Sequence, residues 1–186
     1  MLNLLPPTLL PLIVVAQLGP AHAAYYYMAF TIASVLYTIA YASMQSVFAE
    51  GSHNRAELRR FVRKASQLIA VLLVPAAICT ALLSSLLLSV FGRDYAAQSN
   101  ELLQLFALGA LPVAMYSALG AIFKVTKNLT GIIAMNIVYA VVIIGASSTL
   151  LPTLGLTAIG WAWLAGNVAA TLLGLFFVRN RSEHSA

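Results

Sequence analysis

Six apolar runs, none with an Asp, Glu, Lys or Arg at its centre, leave this chain few ways to fold. They fall near Leu4 to Leu18, Ala23 to Phe48, Ala65 to Phe91, Leu102 to Phe123, Thr130 to Leu150, and Ala158 to Val178. The hydrocarbon core of a bilayer takes about 20 mostly apolar residues per helix, and all but the first run reach that length. The first is short and carries Pro6, Pro7 and Pro11. It lacks the N-terminal positive charge and the clean small-residue cleavage site of a signal peptide, so it reads as a span. Only 8% of residues are charged and 61% are hydrophobic, where a soluble domain has about a quarter charged. The expected fold is all-α: a polytopic membrane bundle of about six transmembrane helices over residues 1–178, with a short tail at 179–186.

The charges that exist are gathered rather than scattered. The stretch "EGSHNRAELRRFVRK" (50–64) holds nearly half of them. Arg55, Arg59, Arg60, Arg63 and Lys64 follow the second run, Lys124 and Lys127 the fourth, and Arg179 and Arg181 the sixth, leaving only Arg93 on the other side. Because basic residues are retained on the cytoplasmic side of a membrane, this pattern places both termini and the 50–64 connection in the cytoplasm. The expected location is the plasma (inner) membrane, crossed several times.

Asn54 followed by Glu57 has the spacing of a helix cap, and Leu58, Phe61, Val62, Ala65 and Ile69 repeat at helical spacing beside the basic residues. The third run therefore begins as an amphipathic helix at the lipid headgroups. Arg59, Arg60 and Arg63 are candidate contacts for an anionic lipid, the alternative being plain topological anchoring.

Several function classes are disfavoured. Nucleic-acid binding needs basic residues on a soluble surface, which this chain does not offer. His22, His53 and His184 lie too far apart for a metal site, and the single cysteine, Cys79, allows no intrachain disulfide. No catalytic constellation and no cofactor signature is present, and a transporter driven by an embedded carboxylate should show one at bilayer depth. The chain is read as a non-enzyme.

The second run carries Tyr27, Ser34, Tyr37, Tyr41 and Gln45 at offsets that fall within about a quarter of a helix circumference. Such a polar and aromatic face either lines a wet cavity or bonds to neighbouring helices. Gln17, Gln67, Asn136, Tyr139 and Asn167 read as interhelical hydrogen-bonding residues. In the sixth run Ala158, Ala162, Gly166, Ala170 and Gly174 recur every four residues, a ladder that admits a close neighbouring backbone. Pro75 and Pro112, in the middle of the third and fourth runs, are expected to kink them.

Two stretches, "LGPAHAAYYYMAFTIASVLYTIAYASMQSVFAEGS" (18–52) and "SVFGRDYAAQSNELLQLFALGALPVAMYSALGAIFKVTKN" (89–128), together resemble the multidrug/oligosaccharidyl-lipid/polysaccharide exporter superfamily, most closely its polysaccharide flippase branch. Phe91-Gly-Arg-Asp-Tyr95 followed by Glu101-Leu-Leu-Gln-Leu-Phe-Ala107 is similar to that family's outer turn between the third and fourth helices of its second half. Where many relatives carry Leu-Phe-Pro, this chain has Val47-Phe-Ala-Glu50.

The resemblance implies the second of two six-helix bundles around a central cavity, without the N-terminal half. It also implies outward movement of polyprenyl-diphosphate-linked oligosaccharide for cell-surface polysaccharide. Ser34, Tyr37, Tyr41 and Gln45 would then line the substrate pathway. The implied partners are the lipid bilayer, a lipid-linked glycan, and a missing half or a second copy. The alternatives are a drug or metabolite exporter on the same scaffold, a non-transporting truncated subunit, and, last, a membrane enzyme of glycan assembly.

Overall fold

A computed structural model describes residues 4–53 and 57–183, with side chains throughout except at 50–53, 58–59 and 180–183. The described chain is helical between short turns: α1 (Leu5–Leu18), α2 (Pro20–His53), α3 (Leu58–Leu82), α4 (Ser84–Ser89), α5 (Arg93–Val125), α6 (Leu129–Leu154) and α7 (Thr157–Glu183). Five of these helices, α2, α3, α5, α6 and α7, are long and apolar enough to cross a membrane. The expected all-α membrane bundle is the fold observed.

The helices depart from the six expected spans at three places. Helix α1 has 14 residues, about 21 Å at 1.5 Å per residue, against about 30 Å of hydrocarbon. Prolines in its first turn set its start, and Gly19, at φ 90°, ends it in a conformation that glycine adopts easily. It is nonetheless packed in: Leu10 and Val14 are fully buried, and the Gln17 side chain donates to the Ser148 carbonyl at 3.4 Å.

The third run is broken at Leu83 into α3 and α4. The Ser84 hydroxyl is placed to donate to the Ala81 carbonyl (2.9 Å) or to Asn100 Oδ1 (2.6 Å), and it accepts from the Gln104 side chain (3.3 Å). A side chain that bonds to nearby backbone competes with the helical ladder. Pro75 and Pro112, by contrast, both sit inside continuous helices.

Helix α5 begins at Arg93, more than two turns before the apolar run, with Asp94 in its first turn where a negative charge suits the helix dipole. The cap expected at Asn54 lies outside the described residues. Glu57 makes no capping bond and instead pairs with Arg60 at 3.2 Å.

Helix α5 is the central element, meeting α2, α3, α4, α6 and α7. Its turn into α6 is closed by two bonds, Lys127 N–H to the Lys124 carbonyl (3.2 Å) and Asn128 N–H to the Phe123 carbonyl (2.8 Å), with Lys127 in the left-handed region at φ 54°. This double bond pattern is a Schellman turn, which satisfies carbonyls left open at a helix end. Asn128 then caps α6 by accepting from Gly131 N–H at 3.1 Å.

Along α7, Ala158, Ala162, Gly166, Ala170 and Gly174 are all buried. A methyl group on Gly166 would overlap Ile143 Cγ1 of α6 and come within 3.3 Å of the Tyr139 carbonyl oxygen. One on Gly174 would lie 2.8 Å from both Leu119 Cδ1 and Met135 Sδ. The four-residue ladder is therefore the contact by which α7 approaches α6 and α5. The outer surface is apolar, with Val35, Val71, Leu108 and Val141 among the exposed side chains, as suits contact with lipid.

Candidate functional site

Within the bundle a cavity of about 410 Å³ runs along one side of α2. Ser34, Tyr37, Tyr41 and Gln45, spread over about three turns of one helix face, all contribute to its wall. Tyr27, which shares that face in projection, is exposed and does not. From Phe30 to Phe48, the first and last α2 residues on the wall, the helix rises about 27 Å. The cavity thus reaches through much of a bilayer's thickness.

Its two ends differ in character. At one end Phe30 and Trp163 meet with ring centroids 5.4 Å apart and edge to face, and both contact the fully buried Phe106 at 5.7 and 5.9 Å. Gly109 of α5 makes room for this: a methyl there would stand 3.3 Å from Trp163 Cδ1. Aromatic pairs in this arrangement add about 0.5–1.5 kcal/mol each beyond burial, so this end is firmly packed. At the other end the wall is formed by Gln45, Phe48 and Lys124, where α2 and α5 end beside the basic residues.

The four α2 side chains are not equivalent. Tyr37 is 3% exposed, its hydroxyl donates to the Phe106 carbonyl at 2.9 Å, and its ring stacks on Trp163 at 5.8 Å. Its hydrogen-bonding capacity is largely spent on helix packing. Ser34 is half-buried and donates to the Thr31 carbonyl (2.7 Å), leaving its oxygen as an acceptor toward the cavity. Tyr41 is 38% exposed, and its hydroxyl, like the Gln45 amide, has no hydrogen-bond partner among the described residues. These two groups are available to a ligand.

Opposite them stand Tyr139, Ser117 and Lys124. Tyr139 is buried between Tyr116, stacked at 5.0 Å, and Trp163 at 5.9 Å, and its hydroxyl likewise lacks a partner among the described residues. Lys124 is exposed, carries no ion pair among the described residues, and is the cation on the cavity wall. The Schellman turn after it fixes its place at the mouth. Sequence reasoning treated Lys124 only as a marker of membrane side and Tyr139 only as a bundle residue. The first was legible in principle, since nothing after Phe123 breaks a helix before Thr126.

The other expected polar residues divide. Asn136 accepts from the Tyr116 hydroxyl across helices at 2.6 Å, and Gln17 reaches α6 as above. Asn167 bonds within α7, its Nδ2 donating to the Trp163 carbonyl at 2.8 Å. Gln67 is exposed and has no hydrogen-bond partner among the described residues. None of the three arginines proposed for lipid contact reaches the cavity: Arg60 pairs with Glu57, Arg63 is exposed, and the Arg59 side chain lies outside the described residues.

No group of three or more His, Cys, Asp or Glu side chains that could hold a metal occurs among the described residues. What the cavity offers, among the described residues, is neutral donors and acceptors over aromatic surface, with a single positive charge at its mouth. No curated protein and no solved structure matches the chain. A family profile described as polysaccharide biosynthesis protein matches residues 1–100, more than half of the 186 residues. The chain, a multi-pass membrane bundle, thus belongs to this family of polysaccharide biosynthesis proteins.

Proposed function

We propose that the bundle forms one side of a pathway by which a polyprenyl-diphosphate-linked oligosaccharide crosses the plasma (inner) membrane. The observation that carries this is the cavity wall itself: unpartnered hydroxyl and amide groups of Tyr41, Gln45 and Tyr139, with Lys124 at the opening. Sugar hydroxyls are met by neutral donors and acceptors, and their apolar faces by aromatic rings. A diphosphate needs a cation, and the Lys124 ammonium is a compact one with three donors. At about 410 Å³ the cavity lies low in the range of ligand pockets, so it takes part of a glycan headgroup. The remainder would lie against a second bundle, either another half or a second copy of this chain.

Trp163 provides the test. It lines the cavity, while the other tryptophan, Trp161, is exposed. In a Trp161→Phe background, adding lipid-linked oligosaccharide should change Trp163 emission saturably. Tyr41→Phe should weaken the apparent affinity about two- to tenfold, and Lys124→Gln about ten- to a hundredfold, as losses of a neutral and a charge-assisted hydrogen bond. An unchanged emission, or a response to a lipophilic cation that survives Lys124→Gln, would overturn the reading; the second result would favour a drug exporter.

A further inference from the structure

A second recess of about 310 Å³ lies between α2 and α3, away from the transport cavity. Its polar wall is Ser43, Ser46 and Lys64, and its apolar wall includes Val47, Phe61 and Leu68. We propose that this recess is a binding site for an anionic phospholipid, whose phosphate is held by Lys64 and Ser46 while an acyl chain lies along the apolar wall.

The chemistry follows from what each side chain has left to offer. Lys64 is exposed and has no anionic partner among the described residues, unlike Arg60, which holds Glu57. Ser43 donates to the Ile39 carbonyl at 2.8 Å, whereas the Ser46 hydroxyl reaches the Ala42 carbonyl only at 3.4 Å. The Ser46 bond is long and is readily exchanged for one to a phosphate oxygen.

The neighbours of Lys64 decide what kind of phosphate fits. Phe61 and Ala65 are half-buried on the side of α3 that faces α2, and Ile69 and Leu73 continue that stripe into the core. The recess therefore opens where two membrane-crossing helices meet at the level of the first basic turns of α3. A soluble phosphate would leave the Phe61 and Leu68 surface uncovered. A lipid covers it and places its charge beside Lys64. The arginines then supply general attraction to an anionic surface, and Lys64 the specific contact.

The test uses the full chain in detergent micelles, reading the thermal unfolding midpoint as lipid is titrated in. Dioleoyl phosphatidylglycerol should raise the midpoint saturably, while dioleoyl phosphatidylcholine and inorganic phosphate should not. Lys64→Gln should weaken the apparent affinity for phosphatidylglycerol about fivefold, the factor given by about 1 kcal/mol per basic residue at an anionic membrane surface. Arg63→Gln should weaken it less. Ala65→Phe, which fills the recess without altering charge, should abolish the saturable response. An equal response to phosphatidylcholine, a matching response to inorganic phosphate, equal losses in the Lys64 and Arg63 variants, or a normal response in Ala65→Phe would each overturn the site. None of these readouts depends on glycolipid transport, so the two readings fail separately.

Discussion

Tyr37 and Tyr41 stand one turn apart on α2 and do different work. The first is 3% exposed and bonds to Phe106, while the second is 38% exposed with its hydroxyl unpartnered among the described residues. In a Cys79→Ala background, cysteine at position 41 should therefore react with a small polar thiol reagent, and cysteine at position 37 should react far more slowly. Cysteine at Val35, exposed on the apolar outer face, should be inert because lipid suppresses the thiolate. If position 41 reacts no faster than position 35, water does not enter and the cavity is closed in the membrane. Periodicity alone put residues 27, 34, 37, 41 and 45 on one helix face, and all but Tyr27, which is exposed, reach the cavity wall. It could not rank them, because a face has two flanks. Residue 37 lies on the flank toward α5, and nothing in the spacing says which flank a neighbouring helix covers.

At the scale of elements, the most readable feature was the small-residue ladder of α7, since a four-residue repeat of Ala and Gly has few other uses in a membrane helix. Gly166→Leu should destabilise the bundle by about 1–3 kcal/mol or more, the range for overpacking, because the displaced group includes the Tyr139 backbone. Gly145→Ala offers the contrast: its methyl would meet nothing within 4 Å, and the substitution should be neutral or stabilising by up to about 1 kcal/mol. Detergent unfolding midpoints measure both, and equal midpoints for the two variants would remove the packing role from the ladder. Helix ends and the break at Leu83 were not legible in the apolar runs. The break depends on Ser84 meeting Asn100 and Gln104 of another helix, a tertiary contact that no local pattern encodes. The extension of α5 back to Arg93 was hidden for a related reason, since polar turns at a membrane surface look like loop in a hydropathy reading.

For the whole molecule, alternating helix directions bring the start of α3, the end of α5 and the end of α7 to one end of the bundle. Arg60, Arg63, Lys64, Lys124, Lys127 and Arg179 lie there, and Arg93 lies at the other end. The same end carries the cavity mouth at Gln45 and Lys124. If basic residues mark the cytoplasm, the cavity opens inward, with the aromatic contact of Phe30, Phe106 and Trp163 closing the far side. Both statements can be checked with one set of single cysteines in the Cys79→Ala background. Positions Thr126 and Gln98 are exposed at opposite ends, so a membrane-impermeant thiol reagent added outside intact cells should label Gln98→Cys, with Thr126→Cys labelled only after permeabilisation. Tyr41→Cys should follow Thr126→Cys. Labelling of Thr126→Cys from outside would invert the topology, while Tyr41→Cys labelled together with Gln98→Cys would mean that the pathway opens outward and that Lys124 does not guard its entrance.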